Sequence, residues 1–260
     1  MDWRSKMRVT LLGSGTGIPL ASHGSPSILL STERAQYLLD LGPGTLRRLA
    51  HLGISHERIS GVFVTHFHPD HSLDLVHLLF ATRHPPVLRQ RRPFFIAGPI
   101  GLNQFLLALH SAYGDWISLP KGLVKVVEVH PGADITELCP PLTIKAAPTG
   151  HTPHSLAYRF DHPQSGSIVY TGDTVYSEEV IGLAQGADLL ITECSFPDEL
   201  PVEGHLTPSI AAKMATEAGV KKLALCHFYP EALASKIASQ CRGHFQGELV
   251  LSSDGVEIAP

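Results

Sequence analysis

Thr65-His66-Phe67-His68-Pro69-Asp70-His71 brings three imidazoles and a carboxylate into six consecutive positions. The apolar run Val62-Phe63-Val64 precedes it and reads as a buried strand. Ser72 follows as a helix N-cap, with Leu73, Val76, Leu79 and Phe80 at helical spacing behind it. The segment therefore sits on a tight strand-to-helix turn that aims several side chains at one point. Unpaired, such a cluster is costly to bury. A cation removes that cost, and imidazole nitrogen with carboxylate oxygen suits zinc, or less selectively manganese or iron.

Working outward, the same arrangement recurs three times, with a polar residue standing where an apolar strand stops. His151 follows Ile144–Ala147, Asp173 follows Ile168-Val169-Tyr170, and His227 follows Leu223–Cys226. Strand ends on one sheet edge can converge on the turn that holds His66. Together these seven side chains suffice for two metals that share a bridge. One tetrahedral ion could not use them all.

The rest of the chain supplies strands and helices in mixed order. Strands are expected at Met7–Leu12, Ser27–Leu30, Gln36–Asp40, Phe94–Ile96, Val124–Val129, Leu142–Ala146, Leu156–Phe160, Ser167–Tyr170, Asp188–Thr192, Leu223–Cys226, Glu248–Leu251 and Val256–Ile258. Those from Val124 to Tyr170 read as a meander. Helices are expected from about Thr45 to Leu52, from Leu102 to near Gly114, from Thr207-Pro208 to Gly219 and over Glu231–Gln240. Gly13-Ser14-Gly15-Thr16-Gly17 runs into a strand rather than a helix and has no P-loop lysine, so it reads as a turn with close backbone approach. Strands with helices before and after them suggest two sheets packed face to face and covered outside by helices.

At 260 residues and 43% hydrophobic content the chain can bury a full core. A net charge of −4 argues against a generally basic nucleic-acid-binding surface. Arg89, Arg91 and Arg92 form the one basic cluster and read, with Pro85-Pro86, as a solvated loop. Cys139, Cys194, Cys226 and Cys241 show no paired spacing, and Met1–Thr10 carries no leader pattern, so the expectation is reduced thiols in a cytoplasmic protein. No apolar run approaches membrane-spanning length.

The HxHxDH pattern at His66–His71 resembles the metallo-β-lactamase superfamily, and within it ribonuclease Z and its phosphodiesterase relatives. Four further stretches are similar to that branch: Gly13–Pro19, Asp40-Leu41-Gly42-Pro43-Gly44-Thr45, Gly98-Pro99-Ile100-Gly101-Leu102 and Gly204-His205-Leu206-Thr207-Pro208. The resemblance covers essentially the whole chain. It implies a single α/β domain over 1–260 with a four-layer αβ/βα sandwich. It places His66, His68 and His151 on one metal and Asp70, His71 and His227 on the other, with Asp173 bridging. It also implies a homodimer.

The departures are equally informative. Ribonuclease Z carries a long arm that grips transfer RNA between its third histidine motif and the bridging aspartate. Only 21 residues separate His151 from Asp173 here, which leaves no room for it. The histidine-glutamate-alanine-threonine motif appears as Thr192-Glu193-Cys194-Ser195, and the serine and arginine expected after the last histidine are replaced around Tyr229 and Pro230.

The resulting expectation is a dinuclear metal hydrolase, zinc first, that cleaves small or cyclic phosphodiesters. Two ions about 3.5–4 Å apart can hold a bridging hydroxide near neutral pH. Asp70 accepts a hydrogen bond from that nucleophile, His205 donates a proton to the leaving oxygen, and Glu193 orients His205. A ribonuclease Z-type endonuclease acting on RNA is the alternative, and a carboxylic ester, thioester, lactone or sulfate ester hydrolase uses the same core. His23 and His154 read as ordinary polar loop residues near the site.

Overall fold

A computed structural model describes residues 7–260; residues 1–6, part of the stretch read for a leader, lie outside it. Six strands open the first sheet: β1 (Arg8–Gly13), β2 (Ser27–Ser31), β3 (Gln36–Leu39), β4 (Ile59–Phe63), β5 (Phe94–Pro99) and β6 (Val124–Val129). The next six form the second: β7 (Thr143–Pro148), β8 (Leu156–His162), β9 (Gly166–Tyr170), β10 (Leu189–Glu193), β11 (Lys222–Cys226) and β12 (Glu248–Leu251). β13 (Glu257–Ile258) returns to the first sheet beside β1. The spatial orders are β13-β1-β2-β3-β4-β5-β6 and β12-β11-β10-β9-β8-β7.

Side-chain alternation builds the layers. Val9, Leu11, Ile28, Leu30, Phe63, Tyr158, Phe160, Ile168, Tyr170 and Ile191 meet between the sheets. Their sequence neighbours Leu12, Leu29 and Val62 face α1 (Thr45–His51), α3 (Asp74–Thr82) and α5 (Leu102–Tyr113), with the short helices α2 (Pro69–Ser72) and α4 (Pro85–Gln90) before and after α3. Leu190, Leu223 and Leu225 face α6 (Glu178–Ala184), α7 (Pro208–Glu217), α8 (Pro230–Leu233) and α9 (Ile237–Arg242). Strands buried on both faces in this way read as near-continuous apolar runs. The result is the expected four-layer αβ/βα sandwich. None of the helices is long and apolar enough to cross a membrane among the described residues.

Several local expectations change. Ser72 caps nothing; its Oγ donates to the His68 carbonyl at 2.9 Å, and the helix begins earlier, at Pro69. Pro85 and Pro86 start α4 rather than a loop, because proline is tolerated where helical N–H groups have no partner. Arg91 is buried, with its guanidinium on the Glu57 and Ile59 carbonyls, so it is no part of a basic surface. The meander is restricted to β7–β8–β9, since β6 lies parallel to β5 in the other sheet. The Glu231–Gln240 helix is two short ones, with the Ser235 hydroxyl turned back onto the Ala232 carbonyl at the break. Helix α6 is an addition; its signal was Ser177, which accepts from Val180 N–H, followed by Glu178 and Glu179 in the first turn.

Gly61 on β4 sits opposite Phe95 on β5, whose ring lies over the position a side chain would occupy. A Cβ at Gly61 would stand 2.1 Å from that ring, which itself packs edge-on to Phe63 at 5.2 Å. Gly61→Ala should therefore destabilise the fold by about 1–3 kcal/mol through overpacking. Thermal or urea unfolding checks this, and Phe95→Leu in the same chain should recover part of the loss.

Candidate metal centre

All the predicted site residues leave the sandwich at one edge. Strands β3, β4 and β5 run parallel, and so do β9, β10, β11 and β12; β7 shares the direction of β9 because both are antiparallel to β8. Their carboxyl ends deliver Asp40, Thr65–His71, His151, Asp173, Glu193 and His227 to the same rim. Two bonds stitch the second sheet to the histidine turn: Leu156 N–H to the Thr65 carbonyl at 2.9 Å, and Tyr158 OH to the Val64 carbonyl at 2.9 Å. Gly172 is demanded by this closure, since its φ is +58° and a Cβ there would lie 2.5 Å from Thr65 Oγ1.

The side chains form two adjoining groups. Donor atoms of His66, His68, His151 and Asp173 lie within 4.8 Å of one another, as do those of Asp70, His71 and His227. His68 Nδ1 is 3.3 Å from His151 Nε2, and His71 Nε2 is 3.3 Å from His227 Nε2. Asp173 faces both groups, with Oδ1 3.2 and 3.3 Å from the Nε2 atoms of His71 and His227. Its Oδ2 is 3.6 Å from His151 Nε2 and 3.9 Å from His66 Nε2. His68 is exposed, so the rim opens to solvent on that side.

Four of the five histidines have a partner on the nitrogen turned away from the cluster. His66 Nδ1 meets Thr65 Oγ1 at 3.0 Å, His71 Nδ1 meets Asp40 at 2.8 Å, His151 Nδ1 meets the Gly204 carbonyl at 2.8 Å, and His227 Nδ1 meets Ser195 Oγ at 2.9 Å. These contacts fix the rings with Nε2 turned inward. What faces inward lacks partners: His66 Nε2 and Asp173 Oδ1 are buried without a hydrogen bond. Acceptors converging on acceptors are what a divalent cation relieves, and the nitrogen and oxygen donor set fits one.

The local field has the matching charges. Burial drives the His66 pKa well below its ordinary value. Burial would raise Asp173, but His227 and His71 outweigh it and hold the carboxyl well below the usual range. Asp70 is brought to about 2, its burial overcome by His227 and His71. His71, buried between Asp173 and Asp40, is pushed well up by those two carboxylates despite desolvation.

Glu193 is fully buried rather than a solvated strand end. It accepts from Thr174 N–H at 2.8 Å, Leu206 N–H at 3.2 Å, the Ser195 hydroxyl, and His205 Nδ1 at 3.0 Å. Desolvation of His205 opposes protonation, yet the Glu193 bond and charge raise its pKa. The His205 ring centre is 4.9 Å from His151 and 5.8 Å from His227. Phe196 and Tyr229, stacked at 4.6 Å, form an aromatic wall beside it. His154 is exposed, as an ordinary loop residue would be.

The supporting residues Asp40, Thr65 and Ser195 were not singled out from the sequence. Asp40 offered a signal, since it ends an apolar strand as Asp173 does. It is fully buried and accepts four hydrogen bonds, from Thr65 N–H, Thr65 Oγ1, His71 Nδ1 and Tyr170 OH. Asp40→Asn should keep the fold but weaken metal affinity about 10–100-fold, the usual loss when a histidine ligand's outer partner is replaced. Competition against a chelator measures this, and unchanged affinity would deny Asp40 the role.

Residues 36–228 match the family model described as Beta-lactamase superfamily domain. A ribonuclease Z of Mycobacterium sp. (strain KMS) is 30% identical over 243 residues, covering 86% of this chain and 85% of that one. The metallo-beta-lactamase fold protein YhfI from Bacillus subtilis superposes with a TM-score of 0.84 at 26% identity, covering 98% of this chain and 99% of that one. The short form of human tRNase Z gives 0.76 at 26% identity, over 97% and 99%. With its histidine–aspartate rim, the chain belongs to the metallo-β-lactamase superfamily, as a metal-dependent hydrolase of the branch that holds ribonuclease Z and its phosphodiesterase relatives.

Proposed function

We propose that the chain is a dinuclear phosphodiesterase acting on small or cyclic phosphodiesters, working in the cytoplasm as one domain over 1–260. The observation that carries the two-metal reading is Asp173, which turns one oxygen toward each histidine group. His66, His68 and His151 would hold one ion and Asp70, His71 and His227 the other, with zinc favoured and manganese or iron as alternatives. Bound there, two divalent ions supply a nucleophile from water near neutral pH and polarise a phosphoryl oxygen.

The chain's own groups then divide the work. Asp70, ionised at neutral pH, accepts a hydrogen bond from the attacking water and aligns it. His205 donates Nδ1–H to Glu193, whose charge favours the imidazolium, and in that form its Nε2–H passes a proton to the departing oxygen. Thr174 N–H and Leu206 N–H keep the Glu193 carboxylate from rotating away. Phe196 and Tyr229 limit water around the donor.

The preference for a small substrate rests on the connection between His151 and Asp173. It is filled by the β8–β9 hairpin, whose Leu156, Tyr158, Phe160, Ile168 and Tyr170 are all buried between the sheets. Without an arm, remote binding energy from a large RNA is not available for the reacting centre. The ribonuclease Z relatives at 30% identity favour RNA as the second reading, through a different holding surface and with the homodimer as its setting. A carboxylic ester, thioester, lactone or sulfate ester hydrolase would have little use for the Glu193–His205 pair.

Metal-loaded protein should turn over bis(4-nitrophenyl) phosphate and cleave precursor transfer RNA poorly. Efficient site-specific cleavage of that RNA at nanomolar enzyme would reverse the order, and turnover of lactones or thioesters alone would overturn both readings. His205→Ala should retain metal and lower kcat by ~10²–10⁴-fold for an alkoxide leaving group, with a smaller loss for nitrophenolate. An equal loss for both leaving groups would make His205 a positioning residue.

A further inference from the structure

The glycine-rich stretch Gly13-Ser14-Gly15-Thr16-Gly17 takes no part in the chemistry above, yet the loop it opens meets the metal rim at two points. A Cβ on Gly17 would lie 3.5 Å from Asp70 Oδ2 and 3.6 Å from Asp70 Cβ, so the backbone there rests against that side chain. The Ser14 carbonyl accepts from the N–H of Phe228, the residue after His227, at 3.2 Å. Both contacts fall on one donor group, since Asp70 and His227 stand together with His71.

Residues 14–24 close on themselves, with Gly15 N–H donating to the Gly24 carbonyl at 2.8 Å. Close backbone approach is a condition of this closure. A Cβ on Gly15 would stand 2.8 Å from the His23 carbonyl oxygen, and one on Gly24 would enter the Arg48 guanidinium. Both feet of the loop are then fixed by a carboxylate from the far end of the chain. Asp254 Oδ1 accepts from Ser14 N–H at 2.9 Å and from Ser14 Oγ at 2.8 Å, and Oδ2 accepts from Gly24 N–H at 2.9 Å. Arg48 Nε stands 3.3 Å from Oδ2, and Arg48 Nη1 donates to the Pro43 carbonyl at 3.1 Å. Asp254 is itself anchored by its neighbours: Ser252 N–H donates to the Leu225 carbonyl at 2.9 Å, and Gly255 N–H to the Leu11 carbonyl at 2.7 Å. Hydrogen bonds to an ionised acceptor are roughly twice as strong as neutral ones, so this carboxylate is a firm clamp.

The other donor group is held by different means. His66 leans on Thr65 Oγ1 and His151 on the Gly204 carbonyl, and the turn that carries His66 and His68 is stitched to Leu156. Metal affinity depends on how exactly donor atoms are held by the groups behind them. We propose that Asp254 is a positioning residue for the ion held by Asp70, His71 and His227, acting through the 14–24 loop, and that the ion held by His66, His68 and His151 does not depend on it. The proposal rests on the two-metal reading and adds to it a distant control of one site.

The test titrates metal-free protein with zinc in competition with a chelator, in the unaltered chain and in Asp254→Ala. One of the two ions should bind about tenfold or more weakly in the variant, the scale of loss when the support behind a ligand is removed, and the other should keep its affinity. Asp70→Asn, which damages the group that Asp254 supports, identifies the affected ion. Added to it, Asp254→Ala should leave the affinity of the remaining ion as it was; a further loss there would overturn the assignment. Gly61→Ala, which lowers stability from within β4, sets the pattern of a merely structural loss. Zinc affinities in Asp254→Ala that follow that pattern, or that do not change, would overturn the proposal. Asp254→Asn keeps one acceptor oxygen and serves if the alanine variant does not fold. It should weaken the same ion by a smaller factor, and unchanged affinity for both ions in it would overturn the proposal.

If the unaltered chain takes up a single ion, the two-metal reading fails, and amide hydrogen exchange on the metal-free protein decides the positioning role. Gly15 and Phe228 N–H should exchange faster in Asp254→Ala, while Leu156 N–H, bonded to the Thr65 carbonyl, should not change. Equal exchange at Gly15 and Phe228 in both proteins, or faster exchange at all three, would overturn it.

Discussion

A single buried carboxylate organises the rim. Asp40 leaves β3 with a φ of +57°, a left-handed conformation that aspartate tolerates better than most residues. From there it takes hydrogen bonds from the backbone and hydroxyl of Thr65, from His71, and from Tyr170 on the opposite sheet. Thr65 in turn holds His66. One side chain therefore couples closure of the sandwich to the aim of two histidines in different metal groups. His227 is the other described non-glycine residue at positive φ, also +57°. Backbone strain of this kind costs on the order of 1–3 kcal/mol and persists only where surrounding bonds enforce it. Here the enforcing bonds are those that position donor atoms.

The electrostatics follow from that arrangement. Three carboxylates, Asp40, Asp70 and Asp173, stand among imidazoles at a mostly buried edge. The carboxylates raise the His71 pKa, and His66 Nε2 and Asp173 Oδ1 are left without partners. Cations satisfy both faults at once. The rim beside it is built on the same logic, since Glu193 uses one carboxylate to hold His205 and, through Ser195, to steady His227.

Much of this was legible in the sequence where the signal is local. Strand ends marked by Asp173, His151 and His227 stood out because a polar residue halting an apolar run is read within a few positions. The supporting partners were not, because Asp40 acts on residues 25, 31 and 130 positions away. Ser72 shows the opposite failure: a good capping residue whose hydroxyl was drawn to a nearer carbonyl. Arg91 looked like surface charge within its cluster, and only the tertiary fold reveals the Glu57 and Ile59 carbonyls beneath it. His23, an unremarkable loop histidine in the sequence, gains its neighbour Phe228 from the opposite end of the chain.

Asp173 is the group proposed to be shared by two metal ions. Elemental analysis of purified, metal-saturated protein addresses this directly, in the unaltered chain and in Asp173→Ala. Close to two ions per chain is the expected result for the first, with both sites disturbed in the second. Full occupancy in Asp173→Ala, or one ion retained at unchanged affinity, would contradict it.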